Sequence, residues 1–267
     1  MDFTFSKYQG TGNDFIMIDD REKKFPASDT AYIESLCDRR FGIGADGLIL
    51  LQKHTASDFY MQYFNSDGRE SSMCGNGGRC IASFATYIGL VKNHASFFAI
   101  DGKHEAEISS DWVQLKMNNV TNVNSRGGGI YVLNTGSPHF VEFIRGELNE
   151  LQIIPAAHSI RYGDEFRKEG INVNFVTKTG QDSLKIRTYE RGVENETWSC
   201  GTGVTASALC LALENTYETG NHLVSVEVKG GKLEVRFQYD KLQNAFTDIW
   251  LCGPAEFVFE GMISYAK

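Results

Sequence analysis

One stretch of sequence organises the rest of the chain: residues 74–88 read CGNGGRCIASFATYI. A cysteine stands before closely spaced glycines, and apolar residues then recur at helical spacing from Ile81 to Ile88. The same arrangement returns at residues 200–211, CGTGVTASALCL, where the helical spacing runs from Val204 to Leu211. The sequence therefore predicts two helices with an apolar face, each beginning at a Cys-Gly turn.

Two further features repeat in the same order. Thr11-Gly12, ahead of an apolar run, is echoed by Thr135-Gly136, and Gly102-Lys103 is echoed by Gly231-Lys232. Together with the Cys-Gly turns, these repeats have offsets of 124, 126 and 129 residues. Such nearly constant offsets indicate an internal duplication, although glycine turns can also resemble one another by chance.

The duplication predicts two domains. The N-terminal half is expected over residues 1–118, completed by a C-terminal strand at 256–267, and the C-terminal half over residues 119–255. Between them, residues 121–129 are polar, rich in glycine and without apolar periodicity, so we expect a linker there.

Short apolar runs rich in β-branched and aromatic residues dominate the remaining sequence. They lie at residues 15–18, 48–51, 59–64, 97–100, 113–117, 130–133, 140–144, 173–177, 184–188, 224–228, 233–237 and 249–251. A third helix is expected over residues 30–40. The fold class is therefore α+β, with many strands and few helices.

Composition excludes several classes of function. The chain has 267 residues and a formal net charge of −8, which argues against a nucleic-acid-binding surface. It has no apolar run of membrane-spanning length and no secretory signal pattern, so we expect a cytoplasmic protein without a membrane partner. Its six cysteines should then be reduced thiols, and with no CxxC motif or close histidine pair we expect no metal site.

A dinucleotide-like motif, GIGADG at residues 42–47, is better explained as a turn. A predicted helix precedes it and a predicted strand follows it, the reverse of the order that a dinucleotide-binding turn requires. Four cysteines also lack a special setting, and we expect them to be buried structural thiols: Cys37, Cys80, Cys210 and Cys252.

The two Cys-Gly turns are better suited to chemistry. A cysteine at a helix N-terminus lies beside amide groups without intrahelical partners, and their field favours a thiolate. Inversion of a stereocentre needs two acid/base groups that act on opposite faces of one carbon. We therefore predict that Cys74 and Cys200 exchange an α-proton with an amino-acid substrate.

At these residues the sequence resembles diaminopimelate epimerase. The resemblance begins at Lys7 and continues in the expected order through GTGNDF (10–15), FNSDG (64–68), MCGNGGRC (73–80), GSPH (136–139), YERG (189–192) and CGTG (200–203). It implies an isomerase of lysine and peptidoglycan biosynthesis that converts LL- to meso-diaminopimelate without a cofactor. It also implies two pseudo-symmetric domains, each a strand-rich barrel around a central helix.

The resemblance assigns roles to individual residues. Cys74 and Cys200 would be the two bases, and His139 would lie beside the thiols and tune their protonation. Substrate would be bound by the backbone amides of Gly75, Asn76, Gly201 and Thr202, by Asn13, Asn65 and Asn172, and by Glu190 and Arg191. Arg191 would grip the distal carboxylate.

Two positions depart from the family pattern. The family often has Asn where this chain has Ser137, and some members have Gln where it has Gly47. A direct contact between Ser137 and substrate is therefore in doubt, and Gly47 has no side chain for a contact. Family members are often dimeric, but the sequence carries no interface signal.

Other functions fit part of the pattern. A proline or hydroxyproline racemase also uses two thiols, but usually carries His after the first Cys-Gly, where this chain has Asn76. Isomerases of phenazine biosynthesis lack the cysteine pair. A thiol redox protein is disfavoured by the absence of a CxxC motif and by the amide-rich turns at both cysteines. An inactive amino-acid-binding module would not require intact cysteines in both halves.

Overall fold

The computed structural model describes residues 1–71, 73–110 and 112–265, and the chain divides into two units. The first unit comprises Met1–Leu115 together with the C-terminal segment that begins at Gly253, and the second comprises Lys116–Cys252. Within the described residues, each unit contains a mixed sheet and two α-helices.

The strands of the first unit are β1 (Asp2–Gly10), β2 (Asn13–Asp19), β3 (Gly47–Gln52), β4 (Phe59–Asn65), β5 (His94–Ala99), β6 (Gly102–Ser109), β7 (Trp112–Lys116) and β17 (Glu256–Ser264). Helix α1 (Thr30–Cys37) connects β2 to β3, and helix α2 (Gly75–Tyr87) connects β4 to β5. The β2–β3 and β4–β5 pairs are parallel, as such helical crossovers require, and the other pairs along the order β17–β1–β2–β3–β4–β5–β6–β7 are antiparallel.

The strands of the second unit are β8 (Val123–Gly127), β9 (Ile130–Asn134), β10 (Pro138–Phe143), β11 (Asn172–Gly180), β12 (Ser183–Glu190), β13 (Asn195–Thr197), β14 (Gly220–Val228), β15 (Gly231–Asp240) and β16 (Ala245–Pro254). A 3-10 turn (Leu148–Glu150) and helix α3 (Ile153–Arg161) connect β10 to β11, and helix α4 (Gly201–Glu214) precedes β14. Strand β13 is a short addition that pairs with β12.

The two units have the same strand order. In the second unit, β8 and β9 are antiparallel, β10–β11 and β12–β14 are parallel, and the remaining neighbours are antiparallel. This pattern repeats that of the first unit strand for strand, with α2 and α4 at equivalent points. The mixed, strand-rich fold with pseudo-symmetric halves agrees with the α+β class predicted from the sequence.

Helices α2 and α4 are the central helices of their units. Helix α4 is buried without interruption from Gly203 to Ala212, because its residues are small or apolar on every side. Helix α2 contacts β1, β2, β3 and β6, so the sheet curves around it. Each sheet therefore has one face directed at a central helix.

The other face of each sheet is covered by the shorter helix. Ile16 and Leu48 pack with Ile33 and Leu36 of α1, whereas Val173 and Phe175 pack with Ile153 of α3. Strands buried on both faces have continuous apolar sequences, which is why the apolar runs located the inner strands so well.

One prediction was wrong. Residues 121–129 are not a linker, because β8 (Val123–Gly127) forms an antiparallel hairpin with β9. Its side chains are mostly exposed, so the strand has no apolar alternation that sequence could report. The glycines Gly127, Gly128 and Gly129 all have positive φ angles, which explains their presence as a turn rather than as a flexible connection.

Two other local predictions are confirmed, and two helices differ from expectation. Helices begin directly after Cys74 and Cys200, and the GIGADG segment follows α1 and leads into β3, as a turn should. The helix expected to reach residue 40 ends earlier, at Cys37, and α3 was missed because Pro155 interrupts its pattern. None of the helices formed by the described residues is long and apolar enough to span a membrane.

Candidate active site

Cys74 lies at the N-cap of α2, with extended backbone angles and a half-buried side chain. The first turn of the helix packs closely on the sheet, since a Cβ added at Gly77 would lie 3.0 Å from Ile49 and 3.3 Å from Met61. Glycine at this position therefore brings the start of the helix, with its amide groups, close to β3 and β4.

The Cys74 thiol contacts Asn13, which follows the turn after β1. Cys74 Sγ donates to Asn13 Oδ1 over 3.5 Å, and Asn76 Nδ2 donates to the same oxygen over 3.3 Å. Asn13 Nδ2 donates to Asp46 Oδ2 over 2.5 Å, which fixes the orientation of the amide because a carboxylate only accepts. Asp46 in turn accepts from Arg39 over 2.7 Å.

Asn76 is held from inside the unit. Its side chain is 1% exposed, and its Oδ1 accepts from Arg79 Nη2 over 3.0 Å. The Arg79 side chain is fully buried, and its Nε donates to the carbonyl oxygen of Pro254 over 3.4 Å. The buried Arg79 guanidinium therefore fixes the Asn76 amide, which donates to the same Asn13 oxygen as the Cys74 thiol.

Asn65 and Gly47 are register partners on β4 and β3. Asn65 is exposed at the end of its strand, on the same face as Tyr63. A Cβ added at Gly47 would lie 2.4 Å from the Phe64 carbonyl oxygen and 2.5 Å from the Tyr63 ring. The tyrosine therefore occupies the space that a side chain at position 47 would need.

Cys200 lies at the N-cap of α4, also with extended backbone angles, and is buried. Its Sγ lies 3.5 Å from the hydroxyl oxygen of Thr202, and that oxygen lies 2.9 Å from His139 Nε2. The backbone carbonyl of Thr202 accepts from the Thr135 hydroxyl over 2.8 Å. The first turn of α4 is therefore hydrogen-bonded to the turn between β9 and β10.

His139 is fully buried on β10 and contacts Thr202 and Asn174 through its two ring nitrogens. Burial, reinforced by the positive charge of Arg191, lowers the pKa of His139 to about 3. The imidazole is therefore neutral at physiological pH. The sequence predicts that His139 lies beside the thiols. In the structure the Thr202 hydroxyl lies within 2.9 Å of His139 Nε2 and within 3.5 Å of Cys200 Sγ.

Asn172, at the start of β11, joins two segments of the second unit. Its Nδ2 donates to Ser137 Oγ over 2.8 Å, and its Oδ1 accepts from the Arg191 backbone amide over 2.8 Å. Ser137 therefore supports Asn172 although it is shorter than the Asn that the resemblance leads one to expect there. Arg191 is exposed, and its Nη1 donates to the Glu169 carbonyl over 3.0 Å.

The loop that carries Arg191 is held by Glu194, which sequence analysis missed. The Glu194 carboxylate accepts from Tyr189 and Tyr162 over 2.9 and 3.0 Å and pairs with Arg161 over 3.0 Å. Burial opposes ionisation, but these groups and the amide of Gly192 lower the pKa of Glu194 to about 2. Glu190, the half-buried last residue of β12, accepts from the Glu194 amide through its carbonyl.

The remaining cysteines are buried, as predicted: Cys37, Cys80, Cys210 and Cys252. Burial raises the pKa of Cys37 and of Cys80 to about 12 and that of Cys210 well above its usual value. Cys37, Cys80 and Cys210 are therefore protonated at neutral pH.

Comparison with known proteins identifies relatives over almost the whole chain. A family model described as diaminopimelate epimerase matches residues 5–123 and 131–258. A diaminopimelate epimerase of Flavobacterium psychrophilum is 52% identical over 96% of this chain and 98% of the relative. One from a Hydrogenobaculum species is 38% identical over 97% of this chain and 98% of the relative.

A solved structure shares the fold at low sequence identity. It is a Bacillus anthracis phenazine biosynthesis protein of the PhzF family, with a TM-score of 0.74 and 14% identity over 99% of this chain and all of that chain. This likeness concerns the fold alone.

Proposed function

Because the chain belongs to the diaminopimelate epimerase family, we propose that it converts LL-diaminopimelate to meso-diaminopimelate with Cys74 and Cys200 as acid and base. The observation that carries this proposal is the setting of the two thiols. Each stands at the N-cap of the central helix of its unit, in contact with a polar side chain from a neighbouring turn or from the helix itself.

The reaction needs a thiolate and a thiol together. The thiolate removes the α-proton from one face of the carbon, and the thiol gives its proton to the opposite face. The C–H bond breaks and forms without any change in oxidation state, so acid–base chemistry is sufficient and the proposal includes no cofactor. The enzyme is an isomerase acting on an amino acid.

The substrate α-carboxylate accumulates charge when the α-proton leaves. The first amides of α2, at Gly75 and Asn76, and those of α4, at Gly201 and Thr202, have no intrahelical acceptors. Two helix N-termini directed at one carboxylate would stabilise this charge in the transition state.

The other polar residues would orient the substrate. Arg191 carries an exposed guanidinium suited to a bidentate contact with the distal carboxylate, with Glu190 beside it for a charged amino group. Asn13, Asn65 and Asn172 would supply amide contacts. Asn13 and Asn172 are preoriented by Asp46 and Ser137, which reduces the entropy lost on binding.

Two alternative functions are disfavoured. The family match favours diaminopimelate over proline as substrate, because the matching model and relatives are diaminopimelate epimerases. A redox role for the two thiols would not explain the amide-rich helix N-termini at both cysteines.

The test is incubation of the reduced protein with LL-diaminopimelate in D2O. We expect meso product with deuterium at the inverted α-carbon, and no turnover after Cys74→Ala or Cys200→Ala. Cys37→Ala, which removes a buried thiol at the end of α1, is the matched control and should retain turnover. Turnover in either active-site alanine variant would refute the two-thiol mechanism, and turnover of proline instead of diaminopimelate would refute the substrate assignment.

A further inference from the structure

One buried tyrosine of the first unit lies beside predicted substrate residues but has no role in the proposed mechanism. Tyr63 is on β4, two residues before Asn65, so the two side chains point to the same face of the sheet. Met61 points to that face as well, and it lies 3.3 Å from a Cβ placed at Gly77 of α2. Tyr63 therefore faces the helix that begins after Cys74.

Strands β2, β3 and β4 arrange their side chains in rows beneath α2. The row that packs on Gly77 consists of Phe15, Ile49 and Met61. Two residues further along each strand, the next row consists of Asn13, Gly47 and Tyr63. Asn13 contacts the Cys74 thiol, so this second row lies level with the start of the helix. The polar members of the row, Asn13 and Tyr63, stand on either side of Gly47.

The Tyr63 ring lies over Gly47. A Cβ added at Gly47 would be 2.5 Å from a ring carbon of Tyr63 and 3.1 Å from its hydroxyl oxygen. The ring also meets that of Phe15 edge-on, with the two centroids 6.0 Å apart. The phenol therefore extends from β4 across β3 toward β2, the strand that carries Asn13.

The phenol is suited to bind an anion. Tyr63 is 8% exposed, the same fraction as the Cys200 side chain that is proposed to react. Phenols titrate near about pH 10, so a tyrosine hydroxyl carries its proton and can donate at neutral pH. A donor that is largely removed from water forms a stronger hydrogen bond to a carboxylate than an exposed donor does.

The carboxylates near this row are compensated by cations. Asp46 binds Asn13 Nδ2 and pairs with Arg39 over 2.7 Å. Asp14, the residue after Asn13, pairs with Lys7 over 2.8 Å and with Arg39 over 2.6 Å. The fixed negative charges beside Asn13 therefore oppose the approach of a further anion only weakly.

We propose that Tyr63 is a further substrate-contacting residue, whose hydroxyl donates a hydrogen bond to the reacting α-carboxylate of diaminopimelate. The inference rests on the proposed function, and it adds a side-chain donor to the backbone amides of α2. The hydrogen bond strengthens as the α-proton leaves, because charge then accumulates on the carboxylate. Glycine is required at position 47 because a Cβ there would displace the phenol.

The first test is Tyr63→Phe, which removes the hydroxyl and keeps the ring. We expect kcat/KM for LL-diaminopimelate to fall about tenfold or more, because a hydrogen bond to a charged group is lost. Tyr8→Phe is the matched control, since Tyr8 is also a buried tyrosine of the first unit but packs against Phe84, farther along α2. This control should keep kcat/KM within about twofold of the wild type. A purely structural role of the Tyr63 ring predicts no change in Tyr63→Phe.

The second test places a fluorinated tyrosine, whose phenol ionises near neutral pH, at position 63 by genetic code expansion. The protonated phenol can donate to the carboxylate, whereas the phenolate cannot donate and repels it. We therefore expect kcat/KM to fall, relative to the wild-type profile, as this phenol ionises. The same fluorotyrosine at position 8 should reproduce the wild-type profile. The measurement does not depend on whether Tyr63→Phe folds, because the fluorinated protein at lower pH is its own reference.

The outcomes separate the inference from the proposed function. A kcat/KM for Tyr63→Phe within about twofold of the wild type would overturn the inference, and so would a fluorinated enzyme that follows the wild-type pH profile. Either result leaves the two-thiol mechanism intact. A wild type that does not turn over diaminopimelate would instead refute the proposed function.

Discussion

Acid should destabilise this protein through His139, and the size of the effect follows from its surroundings. The imidazole is fully buried and both ring nitrogens contact side chains, Nδ1 with Asn174 and Nε2 with Thr202. Burial and the charge of Arg191 lower the pKa of His139 from 6.5 to about 3. In the unfolded chain the same imidazole titrates near its ordinary pKa of about 6.5.

The sign follows from proton binding. Between pH 6.5 and 3 the unfolded chain holds a proton on His139 that the folded protein does not, so the free energy of unfolding falls as the pH falls. This stability is fully present above about pH 7. The loss is about 1.4 kcal/mol per pH unit, so about 2.5 kcal/mol should be lost on going from pH 6.5 to 4.5.

Urea unfolding of the wild type and of His139→Gln, followed by circular dichroism, measures this contribution. Glutamine does not titrate and can still donate to Thr202, and both proteins share every carboxylate, so the difference between their unfolding free energies isolates the histidine. We expect the advantage of the wild type to be constant above pH 7 and to shrink by about 2.5 kcal/mol at pH 4.5. Parallel pH curves for the two proteins would refute the assignment of a buried neutral imidazole.

Three further changes test the sites separately. Gly47→Ala places a Cβ 2.4 Å from a carbonyl oxygen of the neighbouring strand and should cost about 1–3 kcal/mol in thermal unfolding, whereas Gly146→Ala, with open space around it, should be near neutral. Glu194→Gln should raise KM for diaminopimelate because it loosens the loop that carries Arg191. The wild type should be more stable than this variant above about pH 4.5, and the difference should disappear as the pH falls toward 2. Asp46→Asn removes the group that orients Asn13 and should lower kcat/KM about tenfold, or about 1.4 kcal/mol in transition-state stabilisation; unchanged kinetics would contradict that role.

Strands that are buried on both faces were predicted from the sequence, whereas a mostly exposed strand was not. Inner strands such as β3 and β11 are covered on both faces, so their apolar sequences located them. Strand β8 is mostly exposed on both faces, and its glycines and polar residues resemble a linker. Exposure therefore removes the apolar alternation by which a sequence reports a strand, even though β8 pairs with its neighbour β9.

The duplication preserved backbone pairing more strictly than side chains. Phe140 pairs with Val173 in the second unit, and Phe15 pairs with Gly47 at the equivalent position in the first. Glycine therefore stands in one half where valine stands in the other, although the backbone register is the same. Sequence offsets revealed the repeat but not this shared register.

The sequence by itself determined that two cysteines begin two buried helices in a repeated, strand-rich fold, because burial and helix initiation leave local, periodic patterns. Only the tertiary structure decided what surrounds each thiol. Asn13 meets Asp46, and His139 meets Asn174 and Thr202, across separations of 33 to 63 residues. Cys200 contacts Thr202 within its own turn, but the partners of Thr202 and the Asn13 contact of Cys74 come from segments that only folding brings together.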